Sequence, residues 1–364
     1  MSEQFTSEYF SNQAKKAAEP LPGAADRRKH RRRMRILKRV AISAAIALVV
    51  FAGALVGGSY LVIHNLASSI PRIKGVTALT AADQPAVPAR FSGSMNILLT
   101  GSAEPPADHG GSGVDGSSSA PEDASGLIAI VHLNADHRGG GVINVPANAL
   151  VSVPGRGKIE LGDALSVGGP SLLIRTVEKL TGDRINHYSV LDFAGAAAVV
   201  RALHGVTVDV PYTTTSMGYT FPAGMDTLSG ADVLAYVRQP AVSEIGRELL
   251  QSNLIRAILD KIAKDNSVST DYHVMKALAE ALSVDSDFSD SQLTSLALRL
   301  SHLRGRDGTF LTAATVGGSA QSGDDSPVRL NRKLAVELWR AIRTDSLAQF
   351  ARQHPALVTP VDPG

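Results

Sequence analysis

Cysteine is absent from the 364 residues of this sequence, and aromatic residues make up only 5% of it. The absence of cysteine excludes disulfide bonds, thiolate catalysis and metal sites with cysteine ligands. The sequence also lacks a phosphate-binding P-loop, a dinucleotide-binding glycine fingerprint, a zinc-ligand spacing and the Gly-x-Ser-x-Gly motif of many hydrolases. Ser102 follows Gly101, but no partner residues nearby predict a catalytic triad.

Charged residues are absent from Val40 to Ile63, directly after a strongly basic segment. As a helix this run would be about 36 Å long, enough to cross a hydrocarbon core of about 30 Å. Because lysine and arginine concentrate on its N-terminal side, we predict a signal anchor with a cytoplasmic N-terminus and an extracellular main domain in the cell membrane. The competing interpretation, a cleaved signal peptide, would have a shorter apolar core and a clearer cleavage site.

The basic segment, residues 27–39, has the composition of a patch for nucleic acid or for anionic lipid. It adjoins the predicted span, where positive charge sets the topology. No recognition helix or set of base-stacking aromatic residues accompanies it. We therefore expect contact with the membrane and not with nucleic acid, and a DNA-binding regulator is the most distant alternative.

Composition divides the chain into five predicted regions. Residues 1–39 predict a disordered cytoplasmic tail, and residues 40–63 the transmembrane anchor. Residues 64–91, which contain three prolines, predict an extracellular stalk. Residues 92–345 have enough Val, Leu, Ile and Ala to bury one large core, and residues 346–364 predict a flexible C-terminal tail.

Short apolar runs alternate with helical periodicity along residues 92–345. Runs of β-branched residues are typical of buried strands, and apolar residues spaced by three and four are typical of helices. This alternation predicts an α/β fold, a three-layer α/β/α sandwich. The predicted strands are 95–101, 127–133, 141–145, 187–191, 206–210 and 309–314, and the predicted helices are 171–180, 193–203, 229–237, 247–264, 275–282, 290–300 and 330–343.

A series of short segments has an order and spacing that identify a family. They are Asn96–Ser102, Ile130–Leu133, Asn144–Pro146, Gly155–Ile159, Gly168–Pro170, His187–Tyr188, Asp192–Phe193, Leu228–Gly230, Leu234–Arg238 and Gly246–Arg247. Over about residues 92–265 this series resembles the LytR–CpsA–Psr family of cell-envelope proteins, and the single N-terminal span matches as well.

This resemblance implies a membrane-anchored extracellular phosphotransferase. Members of the family move a glycopolymer from a polyprenyl pyrophosphate carrier to peptidoglycan, to which it becomes joined by a phosphodiester. The resemblance also implies an apolar tunnel for the prenyl chain, arginines on the phosphates and a magnesium ion held by carboxylates. Guanidinium groups suit bidentate phosphate contacts, and magnesium prefers oxygen ligands in octahedral geometry.

Several polar positions of the family pattern are changed in this sequence. Ala103 and Gly126 stand where the family has metal-binding aspartates, and Ala147 and Pro240 stand where it has arginines. Further departures are Ala124 and Leu250 at expected arginines, Asn148 at an expected aspartate and Glu160 at an expected asparagine. We therefore name no catalytic residue and expect transfer activity to be weak or lost.

Four polar residues of the pattern survive and are the predicted phosphate-binding residues: Lys158, Arg238, Arg247 and Gln251. The alternative is that these cations simply lie over apolar surface. The pattern leaves Mg²⁺ without its expected ligands unless residues 103–125, a predicted mobile loop, supply them. The carboxylates of that loop are Glu104, Asp108, Asp115, Glu122 and Asp123, of which Glu104 and Asp123 align best with the lost ligands.

Two functional hypotheses follow. As a binding protein, the chain would hold polyprenyl-linked glycopolymer beside peptidoglycan, or would bind a catalytic paralogue. As an enzyme, it would transfer the polymer through a rearranged metal site. The lost carboxylates and arginines favour the first hypothesis. His132 lies among apolar neighbours and is predicted to be a packed core residue, as are Tyr236 and Trp339.

Overall fold

The computed structural model describes Leu61 and residues 63–80, 84–102, 124–136, 139–239, 244–264, 272–300, 308–316 and 326–358. Its contacts divide the chain into two units, residues 1–62 and Ile63–Gly364. The predicted anchor, residues 40–63, lies outside the described residues apart from Leu61 and Ile63. Within the described ranges, no helix is both long and apolar enough to cross a membrane.

A seven-stranded mixed sheet forms the centre of the second unit. Its strands are β1 (Arg72–Ile73), β2 (Met95–Ser102), β3 (Ala124–Leu133), β4 (Gly140–Asn144), β7 (His187–Asp192), β12 (Leu282–Asp285) and β13 (Gly308–Thr312), in the order β1-β12-β7-β2-β3-β4-β13. The central strand β2 runs parallel to β7 and antiparallel to β3. Because β2 and β7 are parallel, their carboxyl ends lie at one edge of the sheet.

Four two-stranded pairs accompany this sheet. They are β5 (Leu150–Val153) with β6 (Gly157–Glu160), β8 (Val206–Val210) with β11 (Gly224–Leu228), β9 (Thr214–Ser216) with β10 (Tyr219–Phe221), and β14 (Thr315–Val316) with β15 (Arg329–Leu330). Each pair is antiparallel. The β5–β6 hairpin carries Lys158 and leads directly into a helix.

Eight helices surround the central sheet. They are α1 (Leu161–Thr181), α2 (Phe193–Ala202), α3 (Val233–Val237), α4 (Glu244–Lys264), α5 (Tyr272–Glu280), α6 (Asp290–Leu300), α7 (Arg332–Arg343) and α8 (Leu347–Gln353), as far as the described ranges extend. Helix α1 is broken at Gly169, which has a φ of 64° and is followed by Pro170. Proline lacks a backbone N–H, and its ring disfavours a helical conformation in the preceding residue, so the break has a local cause.

Alternating side chains on the strands build a core on each face of the sheet. Leu98 and Ile143 belong to the core under α1, α7 and α8, whereas Leu99 and Val142 belong to the core under α2, α3, α4 and α5. Successive strand residues point to opposite faces, so apolar runs give a sheet that is buried on both sides. The predicted mixed α/β fold with a central sheet is confirmed.

The predicted helix at residues 171–180 missed the first ten residues of α1, and strands β5, β6, β9, β10, β11, β14 and β15 were not predicted. A smaller error concerns residues 275–282. Helix α5 ends at Glu280, and Leu282 begins strand β12, which pairs with β7 and β1. The apolar residues of β12 match a helical spacing as well as a strand spacing because the strand has only four residues. The short edge strand β1 was also missed.

The predicted ends of the main domain need correction. Residues 64–91 do not form a separate stalk throughout, since β1 joins the sheet and Val76 and Ala78 are buried in the core under α1. At the other end, the predicted flexible tail begins with α8, which buries Leu347 and Phe350 in the same core. The fold therefore extends on both sides of residues 92–345.

The predictions for individual core residues are confirmed. Tyr236 and Trp339 are buried. His132 is also buried, with Nδ1 2.7 Å from Asn96 Oδ1 and Nε2 2.9 Å from Asp345 Oδ1. Both of its ring nitrogens thus have partners inside the fold, which agrees with a packed histidine.

Candidate functional site

The carboxyl ends of β2 and β7 form the edge at which the candidate site lies. Ser102 and Asp192, the last residues of the two strands, are register partners. On the other side of β2, Ser102 pairs with Ala124 of β3, and the register shifts between Thr100 and Gly101. This shift leaves Gly126, which stands at an expected metal-ligand position, within a β-bulge. Bulges of this kind re-aim side chains at the ends of strands.

Asp192 is the carboxylate at this edge, and it caps helix α2. Its Oδ1 accepts a hydrogen bond from Ala194 N at 2.9 Å, and its Oδ2 accepts one from Gly195 N at 3.0 Å. Burial raises the pKa of the Asp192 carboxyl, while the two N–H groups and the positive charge of Arg238 act to lower it. An N-cap carboxylate satisfies N–H groups that have no partner within the helix.

Arg238 is brought to this edge by the short helix α3. It follows the buried residues Tyr236 and Val237, and its own side chain is exposed. Its backbone N–H donates to Leu234 O at 3.0 Å, which closes the last turn of α3. The anchored backbone holds the exposed guanidinium near Asp192.

Gln251 and Arg247 approach the same region from helix α4. The Gln251 side chain is buried, and its Nε2 lies 3.5 Å from the carbonyl oxygen of Val237, the residue before Arg238. Its Oε1 is buried and has no hydrogen-bond partner in the described part of the chain. Arg247 precedes Gln251 by four residues on α4 and is partly exposed. Residues four apart share one face of a helix. The structure therefore brings Arg238 and Gln251 together and puts Arg247 on the same face of α4 as Gln251.

Lys158 lies on a different element from the other three predicted residues. It is exposed on β6, where its register partner is Ser152 of β5. Among the described residues, no hydrogen bond joins Lys158 to Gln251. Its role in phosphate binding stays a prediction.

Ala147 stands where the family pattern has an arginine, and it belongs to the core. It is buried, and its backbone N–H donates to Glu248 Oε1 of α4 at 2.6 Å. The start of α1 is close, because Gly162 N donates to Ala147 O at 2.8 Å. The backbone of this position therefore links α4 to the start of α1, and its side chain carries no charge.

The described residues of this edge do not fit a magnesium ion by themselves. Both oxygens of Asp192 already accept backbone hydrogen bonds. Within the described ranges, no group of three or more His, Asp or Glu side chains is placed to hold a metal ion. The acidic residues Glu104 and Asp123 of the predicted loop lie outside those ranges. We derive no step that passes through a metal.

Sequence reasoning missed Asp192 as a site residue, although the segment contains a signal. An aspartate directly before the helical run Phe193–Ala202 is a typical N-cap. Its position after the apolar strand β7 places it at the edge of the sheet. Together these two features could have identified it.

The family model described as the LytR_cpsA_psr family matches residues 72–316. The chain belongs to this family. A curated relative from Enterococcus faecalis, the polyisoprenyl-teichoic acid–peptidoglycan teichoic acid transferase TagU, is 31% identical over 162 residues, which are 43% of this chain and 54% of the relative. The chain spans about half the length of the curated relatives that it matches.

Solved structures of other proteins have the same fold. Protein gbs0355 from Streptococcus agalactiae matches with a TM-score of 0.54 and 18% identity, over 70% of this chain and 88% of that chain. TagV from B. subtilis matches with a TM-score of 0.50 and 20% identity, over 70% of this chain and 97% of that one. At these identities the likeness supports the LytR_cpsA_psr fold alone.

Proposed function

We propose that this protein binds polyprenyl-(pyro)phosphate-linked glycopolymer during cell-envelope assembly, and that its transfer activity towards peptidoglycan is weak or lost. The carrier phosphates contact Arg238 and Arg247, with Gln251 beside them and Lys158 on the neighbouring hairpin. The observation that carries the proposal is the junction of α3 and α4 at the carboxyl edge of β2 and β7. Two arginine-bearing elements meet there beside a buried glutamine, whose Nε2 lies 3.5 Å from the carbonyl oxygen of Val237.

The chemistry of these side chains suits a phosphate. Arginine presents planar donors that fit phosphate oxygens, and charge-assisted hydrogen bonds are about twice as strong as neutral ones. The Gln251 amide can donate through Nε2 to a phosphate oxygen, since its 3.5 Å contact with Val237 O is at the limit of hydrogen bonding. Binding a phosphate thus improves the hydrogen bonding of Gln251.

Weak or lost catalysis is supported by the residues that replace the expected ones. Alanine at position 147 and glycine at position 126 have no charged group; Ala147 is also enclosed in the core, and Gly126 lies in the bulge of β3. Charge that develops on a leaving pyrophosphate oxygen requires cations or a metal for stabilisation. The sequence predicts that the loop of residues 103–125 is mobile, and ordering its acids around Mg²⁺ would cost conformational entropy.

The prenyl chain needs an apolar environment next to the phosphates. The core between the sheet and helices α2 to α5 adjoins Arg238 and contains Tyr236, Leu250 and Leu254, all fully buried. In this conformation these side chains pack against one another. A prenyl chain that entered this layer would therefore separate α3 or α4 from the sheet.

An active transferase is the second candidate, and Asp192 is the observation that favours it. A buried carboxylate with a raised pKa beside Arg238 is suited to accept a proton from an attacking hydroxyl group. The E. faecalis relative is named as a transferase. In this case Glu104 or Asp123 would supply metal ligands.

A catalytic paralogue and the membrane are further proposed partners.

The binding proposal is tested with the double variant Arg238→Ala/Arg247→Ala. The affinity for a polyprenyl phosphate should fall at least about tenfold, because two charge-assisted contacts are removed. The loss should be greater at low salt, where screening is least. The control variant Arg201→Ala/Lys276→Ala removes two cations elsewhere and should bind like the parent chain. Equal affinities of all three proteins would refute the phosphate site.

A further inference from the structure

A two-residue turn joins strands β9 and β10, and its tip is exposed and apolar. Met217 and Gly218 form the turn with φ values of 49° and 82°, and Tyr219 follows as the first residue of β10. Met217 is 66% exposed and Tyr219 is 41% exposed. Asparagine, aspartate and glycine are the residues that favour positive φ in such a turn. Met217 therefore serves neither the core nor the turn, and its place there has no explanation within the fold.

The residues around this tip carry no charge. Between Asp209 and Asp226 the sequence has sixteen consecutive residues without a charged side chain. The two aspartates lie at the base of the paired strands, where Asp209 is the register partner of Met225 and Asp226 is that of Val208. Exposed strands in water commonly carry lysine or other charged residues, which oppose aggregation. The uncharged hairpin is therefore unusual for a surface that faces only water.

The hairpin is fixed beside the candidate phosphate site. The Phe221 ring of β10 lies 5.5 Å from the Tyr236 ring of α3, in an edge-to-face contact with an angle of 70° between the rings. Tyr236 precedes Arg238 by two residues. Thr214 of β9, the register partner of Phe221, is buried as well. The base of the hairpin is thus held against α3, while its tip stays exposed.

We propose that the tip of the β9–β10 hairpin inserts into the surface of the lipid bilayer, with Met217 among the upper acyl chains and Tyr219 at the level of the headgroups. The inference rests on the proposed function, and it adds to it the part of the domain that contacts the membrane. Tyrosine is enriched at membrane–water interfaces because its ring is apolar and its hydroxyl group is polar.

The hairpin meets two requirements of a segment that enters lipid. A charged side chain is costly in the hydrocarbon region, and this segment has none. Backbone N–H and C=O groups also need partners there, and β9 and β10 pair with each other. The exposed hydroxyl groups of Thr215 and Thr220 lie 3.2 Å apart, so that one donates a hydrogen bond to the other.

Another exposed apolar residue shows the contrast. Val336 of α7 is 54% exposed, but Arg332, Lys333 and Arg340 lie three or four residues from it on the same side of the helix. A single apolar residue among charges is normal on a surface that faces water. The absence of charge around Met217 therefore distinguishes the hairpin from exposed apolar residues such as Val336.

Contact with the bilayer gives the phosphate site a defined position. The phosphates of a polyprenyl carrier lie at the bilayer surface, because the carrier is itself a membrane lipid. Since the base of the hairpin is held against α3, insertion of the tip keeps Arg238 on the side of the domain that faces those phosphates. The carrier can then reach the site without leaving the membrane.

The test uses a fluorescent label at the tip of the hairpin. The chain contains no cysteine, so Met217→Cys creates a unique labelling site. The labelled full chain is reconstituted into vesicles of phosphatidylcholine, with or without bromine on the acyl chains. Bromine quenches a fluorophore only on contact, so the label at the tip should lose at least about half of its emission if the tip is inserted. The matched control Val336→Cys carries the same label at an exposed apolar position and should keep its emission.

The outcomes separate this inference from the proposed function. Equal quenching of the two labels, or quenching of neither, would overturn the inference. So would a label at the tip that becomes shielded from iodide as the protein concentration rises in detergent, because the hairpin would then bind a second copy of the chain. Adding Arg238→Ala/Arg247→Ala to the Met217→Cys variant should leave the quenching unchanged. If it does, but the affinity for polyprenyl phosphate is also unchanged, the phosphate site is wrong while the membrane contact stands.

Discussion

Arg238 lies close enough to Asp192 for its positive charge to lower the pKa of the Asp192 carboxyl, against the larger effect of burial, which raises it. The two residues come from different elements, Asp192 from the end of β7 and Arg238 from the end of α3. Their proximity places a cation and an anion together at the edge where the parallel strands end. The electrostatics of this edge can be tested directly.

Replacing Arg238 with glutamine should raise the pKa of Asp192, because only the opposing positive charge is removed while burial remains. A pH titration of the Asp192 carboxyl carbon by NMR measures the change. Arg201→Gln, on the outer side of α2, serves as the control and should leave the titration unchanged. An Asp192 pKa that does not move in Arg238→Gln would mean that the two side chains are not close in solution.

Asp183 should make the stability of the fold depend on pH. Burial raises its pKa from 3.8 to about 6, in spite of its ion pair with Arg343. Below pH 4 the carboxyl is protonated in both the folded and the unfolded chain. Between about pH 4 and pH 6 the unfolded chain loses the proton while the folded chain keeps it, so stability falls by about 2 to 3 kcal/mol across this window and levels off above it.

Unfolding by urea at pH 4.5 and pH 7.5 measures the effect of Asp183. The variant Asp183→Asn cannot ionise, so its free energy of unfolding should fall less between the two pH values than that of the parent chain. Other titratable groups contribute equally to both proteins. The contribution of Asp183 is therefore the difference between the parent and the variant in how much the free energy of unfolding changes with pH. Identical pH profiles would contradict the raised pKa.

Helix α8 should contribute to the stability of the domain. Phe350 is buried in the core under α1 and α7, and its replacement by alanine should cost about 3 to 5 kcal/mol of unfolding free energy. Gln349 is exposed on the same helix, so Gln349→Ala should change stability by less than about 0.5 kcal/mol. If Phe350→Ala unfolded at the same urea concentration as the parent, the C-terminal segment would be the flexible tail that the sequence predicted.

Long apolar segments made most of the fold predictable from the sequence. Strand β8 was predicted with its exact observed bounds, and α2 within one residue. Both segments are bounded by strong signals, Asp192 before α2 and Pro211 after β8. By contrast, β1 and β12 have two and four residues, and such short strands contain no complete hydrophobic period.

The candidate site was predictable only in part, because it depends on contacts between distant residues. The order of family segments predicted Arg238 and Gln251 as phosphate-binding residues, and the structure brings these two close together through Val237. Nothing local in the sequence indicates that Ala147 would contact Glu248, 101 residues later. The same is true of Lys179, which donates to Ser152 Oγ only once the β5–β6 hairpin packs on α1.

The central claim is that this chain holds a lipid-linked phosphate without cleaving it. It is tested most directly in a single-turnover experiment, in which an excess of the full chain is mixed with a radiolabelled polyprenyl pyrophosphate and Mg²⁺. A LytR_cpsA_psr member with the complete set of aspartates and arginines is run in parallel. We predict that the label is bound by this chain and recovered intact while the other protein cleaves it. Cleavage at a comparable rate would contradict the account.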